Sequence, residues 1–380
     1  MEQTSPPPVQ LDAERQVQAK IYARLKRRLL LPDLAISAVF ALAWLVFGWS
    51  RMLTGSMQRI SANPWLLVLL YAVVFGGIYF LVNLPLSYYS GFVLPRRFGQ
   101  SNQSLGGWIS DQMKGILVGG LVGGVVLEII YLGLRTFPET WWLWVAGFLM
   151  VFNMLMANLA PVLLLPLFNK FVPLGEEHRE LAERLVRLSE RAGTHVQGVY
   201  KFDMSRRTQA ANAALTGLGS TRRIILGDTL LNSFTPDEIE TVLAHELGHH
   251  VNRDIPLSIA FETVSTLVGL WLAAQALNWG VAVFGFAGPA DIAALPLLML
   301  VMGLFGVATM PLSNGFSRWR ERLADRYALQ STRNGPAFAS AMTRLANQNL
   351  AEVDPEPWVE WLLYSHPALN KRIEMAKAKS

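Results

Sequence analysis

Six long runs of apolar residues alternate with charged stretches along this 380-residue chain. The runs lie near 34–53, 65–88, 113–134, 141–166, 256–278 and 291–312. Each approaches the roughly 20 apolar residues that a helix needs to cross a bilayer core. The pattern predicts a polytopic α-helical membrane protein of about six spans. An even number of spans puts both termini on one side.

The polar stretches between the runs have their own periods. Residues 1–10, MEQTSPPPVQ, predict a disordered tail. Residues 11–30 set Arg15, Lys20, Arg24, Lys26, Arg27 and Arg28 among spaced apolar positions, which predicts a basic amphipathic helix at the membrane surface. Residues 31–166 then hold spans 1–4 with a loop near 89–112, and 256–312 hold spans 5–6. The polar stretches 167–255 and 313–380 are expected to fold together as two parts of one soluble domain. Within the first, 176–193 has helical spacing and many charges. VQGVYKFDM and RRIILGDTL read as strands, and ANAAL precedes the glycine-rich turn TGLGSTR, so a small hairpin sheet is expected. Thr235, Pro236 and Glu238 form a helix-start signature, with Pro at the first position and a capping box.

Composition agrees with a membrane chain. Hydrophobic residues make up 52% and charged residues 16%, with mean hydropathy +0.30. Soluble domains carry about a quarter charged residues. The 12 Trp and 19 Phe suit interfacial aromatic belts. Absence of Cys excludes disulfides and thiolate metal sites. The net charge of +5 reads as positive-inside bias, with no nucleic-acid partner expected. Lys and Arg concentrate in the N-terminal arm, 89–112, 167–255 and the C-terminal stretch, while the loop after span 5 has none. Those four basic segments are therefore expected on the cytoplasmic side.

Some residues inside the runs depart from the apolar pattern. Gly115, Gly119 and Gly123 have the small-xxx-small spacing that lets membrane helices pack closely. Asn83, Glu128, Asn153, Asn158 and Glu262 each need a partner or water, as lipid disfavours them by several kcal/mol. They are candidates for interhelical hydrogen bonds or for the lining of an aqueous chamber.

The candidate chemistry sits in TVLAHELGHH, residues 241–250. His245 and His249 are four apart on the helix that starts near Pro236, so both rings can reach one ion. Glu246 is placed to take a proton from a water that the ion acidifies to a pKa of about 7. A catalytic zinc site wants a third protein ligand and an open position. His178, His195 and His250 show no ligand pattern. SRWRERLADRYAL offers Glu321 and Asp325, four apart on one helix face; one could bind the ion and the other hold a ligand His from behind. Spacing does not choose between them, and Asp254 is a further, weaker candidate.

At this point the chain resembles the integral-membrane zinc proteases of the CAAX prenyl protease 1 family. SYYSGFVLPRRFGQSNQSLGGWISDQMK (87–114), APVLLLPLFNKFVPL (160–174), AANAALTGLGSTRRIILGDTLL (210–231), HELGHH (245–250), SRWRERLAD (317–325) and YSHPALNKRI (364–373) follow in family order. The resemblance implies one Zn2+ per chain on His245, His249 and Glu321. It gives Glu246 the general-base role and puts Asp325 behind the ligands or in proton handling. It implies that Asn212 and Ala213 lie along the bound peptide, and that His366 and Arg372 contact the oxyanion and substrate.

The implied fold is a membrane bundle with a cytoplasmic α+β zincin-like metalloprotease domain. The implied activity is zinc endopeptidase cleavage of membrane-associated or lipidated, CAAX-like peptides or proteins. A heat-shock-type protease that degrades misfolded membrane proteins is the alternative. The chain looks one span short of the eukaryotic members, lacks their inserts and has His250 where they often have Trp. These departures favour a prokaryotic homologue in the bacterial inner membrane, in contact with the lipid bilayer.

Overall fold

A computed structural model describes residues 9–217 and 222–378. Most of the expected N-terminal tail and the centre of the glycine-rich turn, at 218–221, lie outside the described residues. The first helix, α1 (Ala13–Val46), starts where Asp12 accepts a hydrogen bond from the Arg15 backbone N–H. It runs unbroken into the membrane, so the basic stretch is the lower part of the first span's own helix. It is continuous with the first apolar run and forms no separate helix. Hydrogen bonds from Gln16 to Ala351 O at 3.2 Å and from Arg27 to Glu352 at 2.6 Å dock it on the soluble domain.

The span expected near 34–53 ends early. The chain breaks at Gly48, whose φ of 69° suits glycine. Then α2 (Trp49–Ile60) has only 12 residues, too few to cross. Next come α3 (Pro64–Tyr88), capped by Asn63, and a π turn that leads into the short α4 (Leu94–Arg97). Helices α5 (Leu105–Thr136) and α6 (Trp141–Leu163) form the next pair, followed by the short α7 (Leu165–Phe168).

The soluble part begins with β1 (Phe171–Pro173), α8 (Arg179–Arg191), β2 (Val199–Phe202), β3 (Ala213–Thr216) and β4 (Arg223–Gly227). The short α9 (Asp228–Ser233) leads to α10 (Pro236–Val251). Two long helices follow, α11 (Asp254–Phe284) and α12 (Leu295–Thr332). The chain ends in α13 (Gly335–Gln348), α14 (Pro357–Leu363) and α15 (Leu369–Lys377).

Among the described residues, six helices are long and apolar enough to cross a membrane: α1, α3, α5, α6, α11 and α12. They pack in a closed circuit, α1 on α3, α3 on α5, α5 on α6, α6 on α11, α11 on α12, and α12 back on α1. In five of them only 11–22% of the most apolar window is buried. A ring with each helix held by two neighbours leaves this much surface free on its inner and outer sides. Trp44, Tyr71, Phe75, Tyr131 and Trp141 close one end of the ring around α2, where Ser50 bonds Tyr71 and Ala293 O.

The sheet has the order β1-β2-β4-β3. The expected hairpin is β3–β4, antiparallel, with Ala213 opposite Leu226. β2 lies parallel to β4, and β1 adds a fourth strand that no alternation signals in so short a segment. β3 is left at the edge. One core joins the stretches on both sides of the α11–α12 hairpin. Leu185, Ile224, Leu226 and Leu243 come from before it, and Phe338, Ala341 and Ala376 from after. Each buried Leu, Ile or Phe contributes about 1.5–3 kcal/mol, which fastens the two stretches into one unit.

Candidate metal centre

The site is built on α10. Thr235 Oγ1 accepts from the Glu238 backbone N–H and Glu238 Oε2 accepts from Thr235 N–H, so the capping box forms as the sequence predicts. Glu238 is also fixed by Arg344 Nε at 2.8 Å. Against α10 lies the lower part of α12, and one glycine allows the approach. A Cβ on Gly248 would meet Ala324 Cα at 2.8 Å and Ala324 O at 2.9 Å. Contact at backbone distance brings Glu321 up to the two histidines.

The donor atoms of His245, His249 and Glu321 all lie within 4.8 Å of one another. The two Nε2 atoms are 3.2 Å apart. Glu321 Oε2 is 3.3 Å from His245 Nε2, and Oε1 is 3.5 Å from His249 Nε2. Each ring is held from behind. His245 Nδ1 lies 2.8 Å from Asp325 Oδ1, and His249 Nδ1 lies 2.7 Å from Asp254 Oδ2. A carboxylate at Nδ1 keeps the proton there and leaves the Nε2 lone pair pointing into the cluster. Glu321 Oε2 is buried and has no hydrogen-bond partner. Two imidazole nitrogens and a buried orphan carboxylate oxygen converging on one point fit a divalent metal with N/O ligands.

The carboxylates behind the rings are themselves anchored. Arg372 donates from Nε to Asp325 Oδ2 at 2.9 Å and from Nη2 to Asp325 Oδ1 at 2.6 Å. Its Nη2 lies 3.4 Å from His245 Nδ1. The guanidinium is thus engaged behind the His245 ring, on the side away from the donor cluster. Arg320 Nε donates to Asp254 Oδ1 at 2.8 Å, and its Nη2 bonds Asn252 O and Asp254. The α10–α11 turn makes this possible: Arg253, at φ 55°, reverses the chain and returns Asp254 to His249. Asp254, a candidate ligand from its spacing, lies outside the donor cluster and stands behind the His249 ring instead. Arg320 goes unnoticed in the sequence; its only signal is its place beside Glu321.

Electrostatics follow from this packing. Burial pulls the His245 imidazole down, but the nearby Asp325 and Glu321 carboxylates outweigh that and push it up to about 9. Burial pushes the Glu246 carboxyl above the usual range, against the pull of His245 and His249. Burial lowers His366, which the charge of Glu321 partly offsets.

His366 reaches the cluster from the α14–α15 loop, with Nε2 at 3.3 Å from Glu321 Oε1 and a half-exposed side chain. Arg318 Nη1 bonds Glu360 O at 2.8 Å and also Tyr364 O, which pins the loop to α12. Asn212 is exposed at the start of β3, where its backbone O accepts from Gly227 N–H, and Ala213 is buried beside it. Neither belongs to the donor cluster; Ala213 opens the strand whose outer edge is open, and Asn212 directly precedes it.

A ring of membrane helices joined to a soluble core, with a divalent-metal donor set between them, defines an integral-membrane metalloprotease. The comparisons agree. Residues 2–170 match the model of the CAAX prenyl protease N-terminal region, described as five membrane helices, and residues 176–380 match peptidase family M48. The chain belongs to peptidase family M48. It is 29% identical to an uncharacterized metalloprotease of Bacillus subtilis, over 94% of this chain and 84% of that one. It is 33% identical to CAAX prenyl protease 1 of Saccharomyces cerevisiae, over 77% of this chain and 68% of the yeast protein. The crystal structure of Ste24p from S. mikatae matches with TM-score 0.86 at 27% identity, covering 98% of this chain and 92% of that one. The N-terminal region has four candidate spans among its described residues where the family description gives five.

Proposed function

We propose that the protein is a zinc endopeptidase that hydrolyses peptide bonds in membrane-associated or lipidated, CAAX-like substrates. The observation that carries this is the convergence of two Nε2 atoms and a partnerless Glu321 oxygen, each ring held at Nδ1 by a carboxylate. His245, His249 and Glu321 would hold the ion, which when bound supplies Lewis-acid activation of water and of the scissile carbonyl.

The remaining roles belong to the chain. Glu246, next to the first ligand, takes a proton from the attacking water and delivers it to the departing amine. A carboxyl raised by burial is suited to both steps. Asp325 fixes the His245 tautomer, and Arg372 acts through Asp325. His366, half-exposed beside Glu321, donates Nε2–H to the oxygen on which negative charge develops. The open edge of β3 at Asn212 and Ala213 receives the substrate backbone as an added strand.

The ring also has a role. Glu262 is exposed on α11, above the site, and a carboxyl facing lipid would be disfavoured by several kcal/mol. We place it toward a wet interior that leads down to the metal. We assign the soluble domain and both termini to the cytoplasm and the ring to a bacterial inner membrane; the positive-inside bias of the basic segments supports this.

The test is to purify the full chain in detergent, measure bound zinc, and compare Glu246→Gln with the parent on a farnesylated CAAX peptide and an unfolded membrane protein. The expected result is one zinc in both proteins, with the peptide's turnover reduced about 10²- to 10⁴-fold in the variant. Equal cleavage by the two proteins would sink the assignment of Glu246. Cleavage of the unfolded protein alone would move the reading to quality control.

A further inference from the structure

The hydrogen bonds of the chain that leads into β3 can be followed one residue at a time. Ala210 O accepts from Thr229 Oγ1 at 2.7 Å, and Asn212 O accepts from Gly227 N–H at 2.9 Å. Both point to the side of β4 and α9. Ala211 lies between them, so its N–H and C=O point the other way, toward the outer edge. Antiparallel pairing alternates in the same manner along β3. With Asn212 bonded to Gly227, Ala213 turns its own N–H and C=O outward. Ala211 and Ala213 are thus successive pairing positions on one edge.

The two positions differ. Ala211 is already paired, and its partner is a side chain. Asn349 Oδ1 accepts from Ala211 N–H at 2.8 Å, and Asn349 Nδ2 donates to Ala211 O at 3.2 Å. A carboxamide that accepts and donates in this way stands in for a peptide unit of a neighbouring strand. The chain upstream is taken as well. Gln209 N–H donates to Gln100 O at 3.4 Å, Gln348 Nε2 donates to Gln209 O at 2.9 Å, and Ser101 bridges Thr208 in antiparallel sense. Among the described residues, the outer edge is free of such partners only from Ala213 onward.

Asn349 is held where it stands. It closes α13, where its N–H donates to Leu345 O at 2.9 Å. The next residue, Leu350, has φ 49° and is 3% exposed. A leucine in the left-handed region is uncommon and marks a turn that the surrounding packing imposes. That turn ends the helix with the Asn349 amide against Ala211.

We propose that Asn349 sets the limit of backbone recognition in this protein. It fills the pairing position at Ala211, so a bound peptide pairs with the edge from Ala213 onward and leaves it there. The inference rests on the peptidase reading above, with β3 as the strand that receives the substrate. It fixes how many peptide residues are held by backbone bonds, which are blind to sequence.

The test uses the full-length, zinc-loaded protein and a fluorogenic peptide with several residues on each side of the cut bond. Every amide except the scissile one is replaced in turn by an ester, which removes one N–H donor. In the parent, KM is expected to rise about threefold to tenfold at alternate positions, the worth of one backbone hydrogen bond, and then to stop responding. In Asn349→Ala one further position becomes sensitive, two residues beyond the last. Asn349→Ser opens the same position and serves where Asn349→Ala fails to fold, as zinc content and thermal unfolding report. An identical set of sensitive positions in parent and variant overturns the proposal. So does a change in KM by the same factor for every peptide, since Asn349 then only supports the fold. If the parent cuts the peptide but no ester matters, the docking of substrate on β3 falls and this inference with it. If the parent cuts no peptide, the peptidase reading itself falls.

Discussion

Asp254 stands 2.7 Å behind His249, at the nitrogen turned away from the donor cluster. It opens a membrane helix, and Arg320 on the neighbouring membrane helix holds it in place. Replacing Asp254 by Asn removes the charge that fixes the ring. Zinc affinity is expected to fall about 10- to 100-fold, the usual effect of losing such a partner. Competition with a chromophoric chelator measures it. An unchanged affinity would show that the contact is only structural.

Asp325→Asn is expected to be harsher. Asp325 is fully buried and is the anion for Arg372, so its loss leaves a buried guanidinium uncompensated. Breaking such a pair costs about 3–5 kcal/mol. Thermal unfolding should separate the two variants, with Asp325→Asn melting well below Asp254→Asn.

Gly248→Ala tests the close approach of α10 and α12. The added methyl would meet backbone atoms of Ala324, so a smaller residue at 324 gives no relief. A loss of about 1–3 kcal/mol is expected, together with weakened zinc binding. Restoration of the parent's stability in the double variant Gly248→Ala/Ala324→Gly would contradict this account.

Glu360 gives a pH dependence of known sign. Burial would raise its carboxyl, but the Lys371 ammonium and the Ala368 N–H outweigh that and hold it below the usual range. A carboxylate lowered in the folded state stabilises the fold above its unfolded value of about 4.3. That stability is lost as pH falls through the lower folded value. The excess stability of the parent over Glu360→Gln should be constant above about pH 5 and shrink below it. Denaturant titration at several pH values checks this; an excess that grows as pH falls would refute it.

Metal removal is the simplest perturbation. It leaves Glu321 Oε2 buried without a partner and the histidines without their shared ligand. Chelation is expected to lower the melting temperature and zinc to restore it, by about 4 kcal/mol at a thousandfold excess over Kd. Calcium, which prefers all-oxygen sites with more ligands, should not substitute.

The spans could be read because lipid allows few solutions: long apolar runs must be helices, and six appear. Their ends were harder. A glycine at 48 reads as one more small residue in an apolar run, yet its left-handed turn ends α1 and sets α2 aside. His245 and His249 were visible because both lie on one helix at a fixed spacing. The carboxylate choice at Glu321 and Asp325 required the resemblance, since either residue fits the spacing. Arg320 and the true place of Asp254 depend on a reversal at Arg253, where an uncommon backbone conformation follows from the packing of α11 and α12.

The two histidines of the donor cluster lie on α10 and its glutamate on the lower part of α12, with α11 and the apolar part of α12 between them in the chain. During synthesis the ribosome delivers the histidines first. The glutamate emerges only after two more helices have been made and passed to the bilayer. Until then the nascent chain holds an unfinished centre, and half of its soluble core is still missing. The order of the sequence therefore delays completion of the donor set until α11 and α12 have been made.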